Sequence, residues 1–101
     1  MENNKLCIIG CGNLGLSLVK GFKRNGDFSN NNIFATKRNL STIIHLKNDG
    51  INVTSDNIYA VQNSEVIIIA VKPYKVKNIL DEIKSHLIPE KHILISVATG
   101  I

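Results

Sequence analysis

Apolar and polar residues fall in alternating blocks along this chain of 101 residues. Residues 5–9 end in an apolar run that predicts a first strand. Leu14, Leu18 and Phe22, with Gly15 and Val19 beside them, then recur at helical spacing. Lys20, Lys23 and Arg24 fall mostly on the outer side, and Gly26 predicts the stop. Residues 27–31 are polar and read as a loop. Ile33-Phe34-Ala35-Thr36 predicts a short second strand. Asn39 is placed to cap a second helix with Leu40, Ile43 and Ile44 on one face, ended by Asn48-Asp49-Gly50. A brief third strand is expected over 51–54. Ser55 or Asp56 would cap a short third helix over 57–63, with Ile58 and Val61 inward. Residues 66–71 are continuously apolar, as in a strand covered on both faces of a parallel sheet. Pro73 suits the first position of a helix, in which Val76, Ile79, Leu80, Ile83 and Leu87 keep helical spacing. Pro89 stops it, and residues 92–97 form a fifth strand.

The order is βαβαβαβαβ. It predicts an α/β fold, a Rossmann-type doubly wound parallel sheet in a single three-layer domain over residues 1–101. The length allows one domain and one core. With 44% hydrophobic and 20% charged residues the composition is that of a soluble globular protein. No internal repeat or linker interrupts it. No apolar stretch nears the ~20 residues of a membrane helix, and Met1 to Lys5 do not begin a signal peptide. The net charge is +4, but the basic residues are scattered and include no run of five. A nucleic-acid footprint would need clustering on one face, so no nucleic-acid and no membrane partner is expected. Cys7 and Cys11 are not spaced as a redox pair, which fits a reduced, cytoplasmic setting. Cys11 reads as structural, because nothing argues for a lowered thiol pKa.

The chemistry gathers at Gly10-Cys11-Gly12-Asn13-Leu14-Gly15, a G-x-G-x-x-G between a strand and a helix. Gly10 allows the tight turn, Gly12 lets phosphates approach the backbone, and Gly15 lets the helix lie close to the sheet. First-turn amides at a helix N-terminus suit the pyrophosphate of a dinucleotide. The end of the second strand normally selects between dinucleotides, and an acid there would bind the ribose hydroxyls of NAD. Here Thr36-Lys37-Arg38-Asn39 carries no carboxylate. Arg38 offers paired N–H donors and Lys37 a point charge for the 2′-phosphate of NADP. NADP(H) is therefore expected in preference to NAD(H). His45, His86 and His92 are dispersed and read as surface or packing residues. Asp81 and Glu82 read as solvated on a helix distant from the loops. No metal cluster and no Ser/His/Asp set is visible.

Three segments, Ile9 to Gly15, Ala70-Val71-Lys72-Pro73 and Ser96-Val97-Ala98-Thr99-Gly100, together resemble the N-terminal cofactor domain of pyrroline-5-carboxylate reductase. Asp56-Asn57 and Leu80-Asp81-Glu82-Ile83 fit as well. The resemblance covers nearly the whole chain. It implies reduction of the C=N bond of 1-pyrroline-5-carboxylate to proline with hydride from NAD(P)H. It also implies that Ile9, Gly10, Cys11, Gly12, Asn13 and Leu14 hold the pyrophosphate. Thr36 and Arg38, with Lys37 near, would hold the adenine ribose and its phosphate. Asn57 would contact the cofactor, or is simply a polar first-turn residue. Ala70, Val71, Lys72 and Pro73 would line the nicotinamide half, and Val97, Ala98 and Thr99 would finish that wall. Lys72 either orients a carboxylate or phosphate or reaches solvent. Cys11, Leu14 and Thr99 depart from the commoner alanine, methionine and alanine. In that family a helical C-terminal domain makes the dimer and, with its partner, the substrate pocket. No such domain is contained in these residues, so the isolated chain is expected to bind cofactor but not to turn over. The substrate would enter through the missing domain, and the full-length protein is expected to be a homo-oligomer. Another NADP-dependent reductase, of F420-linked or β-hydroxyacid type, and a non-catalytic dinucleotide-sensing module are the alternatives.

Overall fold

Five short strands meet in one parallel sheet: β1 (Leu6–Ile9), β2 (Ile33–Thr36), β3 (Asn52–Thr54), β4 (Val66–Ile69) and β5 (Ile93–Ser96). The structure is a computed structural model and describes residues 4–26 and 28–97. The sheet order is β3-β2-β1-β4-β5, with every neighbouring pair parallel. The helices are α1 (Asn13–Asn25), α2 (Asn57–Gln62) and α3 (Pro73–Ile83). This is the doubly wound α/β domain that the alternating pattern predicts.

Strand alternation divides the interior in two. Leu6 and Ile8 of β1 join Ile33, Ala35 and Ile68 beneath Val19 of α1. Cys7 and Ile9 join Phe34, Ile67 and Ile69 beneath Ala60 and Val61 of α2 and Ile83 of α3. Every side chain of β1 is fully buried. Each isoleucine or leucine removed from water in this way contributes roughly 1.5–3 kcal/mol, so the sandwich holds β1 rigidly where the functional loop leaves it.

The stretch expected as a second helix differs. It forms two 3-10 segments, Leu40–Thr42 and Ile44–Asp49, broken at Ile43 with φ −123° and ψ 0°. Asn39 caps as expected, its Oδ1 accepting from Ser41 N at 3.1 Å and Ser41 Oγ at 2.8 Å. Such local bonds compete with the helical ladder, and the β-branched run Thr42-Ile43-Ile44 lowers helix propensity further. Ile43 and Leu46 still reach the core, whereas Ile44 is 45% exposed. Smaller differences lie at boundaries. The third strand opens at Asn52 and the fourth closes at Ile69, which leaves Ala70 and Val71 in the loop above the sheet. β5 forms as expected, but at the sheet edge Ile93, Leu94 and Ile95 are all exposed. Asp27 of the expected loop lies outside the described residues, as do residues 1–3.

Candidate functional site

The strand order reverses between β1 and β4, and the loops after these two strands face each other there. Gly10 leaves β1 with φ +80°, and an added Cβ would run into Val71 Cγ1. Glycine is thus required twice, by backbone conformation and by the close approach of the β4 loop. At Gly15 an added Cβ would lie 3.3 Å from Cys11 Sγ, Gly10 O and Ile8 Cγ2, so helix and loop pack tightly there. At Gly12 an added Cβ would meet nothing within 4 Å. No packing within the described residues asks for glycine at that point. The open side of the loop is where a ligand's phosphates would need a bare backbone.

Not all of the loop's amides are free to serve such a ligand. Gly10 N and Cys11 N donate to Thr36 O at 3.1 and 2.7 Å, and Gly12 N donates to Gly10 O at 2.7 Å. These bonds fix the loop's shape. The donors left facing outward are the first-turn amides of α1 from Asn13 onward, which have no partner within a helix. α1 has no side-chain cap and no acid in its first turn, so its positive end is uncompensated. Cys11 is buried, and burial pushes its thiol up to about 11 despite the nearby Lys37 ammonium. Cys7 is likewise pushed up to about 12 by burial. Both are protonated packing groups at neutral pH.

Beneath the loop, β2 ends on Thr36, which is wholly buried. Its hydroxyl accepts from Gly10 N at 3.3 Å and donates to Asn57 Oδ1 at 2.6 Å. Asn57 opens α2 just after Asp56, whose carboxylate accepts from Tyr59 N at 3.1 Å and caps the helix. Asn57 Nδ2 in turn donates to Glu82 Oε1 of α3 at 3.1 Å. Glu82 is therefore not distant from the loops, contrary to the sequence expectation. α3 packs against α2 and brings this carboxylate to the first residue of α2. No spacing in the sequence could reveal that tertiary contact. Asp81 does stay on the surface, paired with Lys77 at 3.0 Å and Lys84 at 3.6 Å. Lys37, half-buried, donates its backbone N–H to Thr54 O at 3.3 Å, and Arg38 is exposed. Neither makes an ion pair among the described residues, so two unpaired cations stand at the end of β2.

Across the crevice, Ala70 N donates to Ile9 O at 2.9 Å and Val97 N to Ile69 O at 2.9 Å. Ala70 is buried, Val71 abuts Gly10, and Lys72 and Pro73 are exposed at the start of α3. Val97 packs half-buried against the core. Ala98 and Thr99 lie outside the described residues. Ile9, Gly10, Cys11, Gly12, Asn13, Leu14, Thr36, Lys37, Arg38, Asn57, Ala70, Val71, Lys72, Pro73 and Val97 are thus all at or beside the carboxyl ends of β1, β2, β3, β4 and β5. That edge is where ligands of open parallel sheets bind.

The remaining candidates lie elsewhere. A hollow of about 250 Å³ lined by Gln62, Ser85, His86, Ile88, Lys91 and His92 sits where α2 ends and β5 begins, at the opposite edge. Gln62, His86, Lys91 and His92 are engaged within the fold. His92 Nδ1 accepts from Ile88 N at 2.8 Å and Nε2 faces Val61 O at 3.1 Å, while Lys91 Nζ donates to Gln62 O at 3.0 Å. His92 is a structural brace. Among the described residues no three His, Cys, Asp or Glu side chains gather as for a metal ion, and no helix is long and apolar enough to cross a membrane.

Comparison with known proteins agrees with this geometry. A family model described as NADP oxidoreductase, coenzyme F420-dependent, matches residues 5–100. Pyrroline-5-carboxylate reductase 2 of Dictyostelium discoideum is 43% identical over 103 residues, covering all of this chain and 34% of its own length. A pyrroline-5-carboxylate reductase from Coxiella burnetii superposes with a TM-score of 0.88 at 33% identity, over 98% of this chain and 37% of that one. The Plasmodium falciparum pyrroline carboxylate reductase, solved with NADP bound, gives 0.83 at 28% identity, over 100% and 36%. The chain thus spans about a third of the length of these relatives.

Proposed function

Since the chain belongs to the NADP oxidoreductase, coenzyme F420-dependent family, we propose that it is the dinucleotide-binding domain of a reductase of the pyrroline-5-carboxylate type. The observation that carries the reading is Gly12, bare and open in front of an uncapped helix N-terminus at the reversal of strand order. In this reading the amides of Asn13 and Leu14 hold the pyrophosphate. Gly10, Cys11 and Thr36 hold the loop in shape beneath it. Lys37 and Arg38 take the 2′-phosphate, which makes NADP(H) the preferred cofactor. Asn57 lies beside the adenosine half, and Ala70, Val71, Lys72, Pro73 and Val97 border the nicotinamide half, with Ala98 and Thr99 continuing that wall. When bound, the reduced nicotinamide supplies hydride to the C=N carbon of 1-pyrroline-5-carboxylate, and with a proton at nitrogen the product is proline. The residues of this chain orient the cofactor and do no proton chemistry. Groups that hold the substrate and join subunits belong to the parts of such proteins outside the matched third.

The named reductases at 33–43% identity favour the imine substrate. Membership of a coenzyme F420-dependent family supports a second reading, hydride exchange between NADP and coenzyme F420. Titration of the purified chain with NADPH and NADH, read by nicotinamide fluorescence, tests the binding reading. NADPH is expected to bind more tightly. Absence of binding by either would overturn the assignment, and equal binding would overturn the part given to Lys37 and Arg38. Assay of the longer protein with pyrroline-5-carboxylate or F420 separates the two substrates, while the isolated chain is expected to turn over neither.

A further inference from the structure

The hydrogen bonds at the end of β2 run in one direction. Gly10 N–H donates to Thr36 Oγ1, Thr36 O–H donates to Asn57 Oδ1, and Asn57 Nδ2–H donates to Glu82 Oε1. Gly10 N–H is shared with the Thr36 carbonyl at 3.1 Å, and among the side chains each link depends on the next. An asparagine amide can turn over and exchange its oxygen for its nitrogen at little cost, unless its neighbours forbid it. A hydroxyl at Thr36 could orient to suit either face. A carboxylate accepts only, so Glu82 requires the nitrogen of Asn57 on its side and leaves the oxygen towards Thr36. That oxygen draws the Thr36 proton towards Asn57 and turns a lone pair of Oγ1 towards the Gly10 amide. Thr36 is fully buried, so no solvent competes for its hydroxyl. The polarity of the set is decided at its exposed end, on a different helix from the cofactor loop.

We infer that Glu82 is a positioning residue for the dinucleotide site, acting through Asn57 and Thr36 on the backbone of Gly10. The inference rests on the reading of the glycine loop as a cofactor cradle. It adds a residue of α3 that touches no cofactor yet sets how that cradle is held. It also explains why Asn57 stands at the first position of α2, directly after the capping Asp56. There it joins the edge of the glycine loop to the surface of α3.

The test is cofactor affinity of the purified chain, measured with NADPH for the parent, Glu82→Ala, Glu82→Gln, Asn57→Ala and the Glu82→Ala/Asn57→Ala double variant. Thermal unfolding of each is followed in parallel. Glu82→Ala is expected to weaken NADPH by about three- to tenfold, the range of one net hydrogen bond. The melting temperature should stay that of the parent, since the Glu82 contact is exposed. Glu82→Gln can either accept from Asn57 or donate to it, so it no longer fixes the Asn57 amide and is expected to recover only part of the affinity. In the Asn57→Ala background Glu82→Ala is expected to add nothing further. Affinity unchanged in Glu82→Ala overturns the inference, and so does a loss that persists undiminished without Asn57. A loss that only tracks the melting temperature overturns it as well, by making Glu82 a packing residue. Failure of the parent chain to bind either dinucleotide overturns the cofactor reading, and the inference falls with it; binding by the parent with unmoved variants removes the inference alone.

Discussion

Two glycines two residues apart, Gly10 and Gly12, separate stability from binding at the level of single residues. Gly10 combines φ +80° with direct contact to Val71. Gly10→Ala is expected to destabilise the fold by about 1–3 kcal/mol, the cost of a strained non-glycine backbone, with the clash in addition. Denaturant unfolding would read it, and a stability equal to the parent would contradict the described turn. Gly12→Ala adds its methyl to open space. The fold should be unchanged while NADPH weakens on the order of tenfold, about 1.4 kcal/mol. Parallel melting and titration distinguish the two sites. At the end of β2, Arg38→Ala should weaken NADPH by about 1–3 kcal/mol through the lost charge-assisted bonds and leave NADH little altered. Equal losses for both cofactors would remove Arg38 from the 2′-phosphate. Most of this was legible in the residue types, because glycine and the absence of a carboxylate are constraints that a sequence states directly. That Thr36 is buried and spent on Gly10 and Asn57 was not legible. A threonine at a strand end reads alike whether its hydroxyl faces ligand or loop.

Among elements, the strands and α1 followed from local pattern: the apolar segments of β1, β2 and β4 and the stripe of α1 have a single way to bury themselves, and β5 keeps its strand although it lies exposed at the sheet edge. The stretch from Leu40 to Asp49 did not. Its apolar positions suit a helix, but the Asn39 cap bonds and the β-branched run favour tighter 3-10 turns, and only Ile43 and Leu46 are needed by the core. The packing of α3 against α2, which brings Glu82 to Asn57, also escaped the sequence because it depends on tertiary placement and not on spacing. α2 has only six residues, too few to persist on propensity. Its retention rests on Ala60 and Val61 in the core and on the Asp56 cap. Asp56→Ala is therefore expected to cost about 1 kcal/mol of stability. It should also weaken NADPH, because fraying of the first turn releases Asn57. A cap variant that lowers the melting point but leaves affinity intact would show that Asn57 is held independently of the helix.

For the molecule as a whole, charge is placed more selectively than the net +4 suggests. Lys23 and Asp49 pair at 2.8 Å on the flank, and Lys77, Asp81 and Lys84 pair along α3. Lys37, Arg38 and Lys72, at the carboxyl edge of the sheet, take part in no ion pair among the described residues. The positive end of α1 opens on the same edge without an acid beside it. Asp56 and Glu82 lie near this edge too, so it is three cations against two carboxylates, together with the helix end, that leave the crevice net positive, while much of the flanking charge is neutralised locally. A dinucleotide bearing an additional 2′-phosphate should feel that field more strongly, and salt should weaken it more. Raising ionic strength from about 0.1 M to about 1 M shortens the screening length from ~10 Å to ~3 Å. The contacts to the charged side chains of Lys37 and Arg38 lose most, while contacts to the uncharged amides of the loop lose less. NADPH affinity is accordingly expected to fall more steeply with salt than NADH affinity, and Arg38→Ala should bring the NADPH slope close to that of NADH. Fluorescence titration across a salt series measures both slopes. Parallel slopes in the parent chain would mean that the 2′-phosphate does not lie among these cations, whatever the absolute affinities.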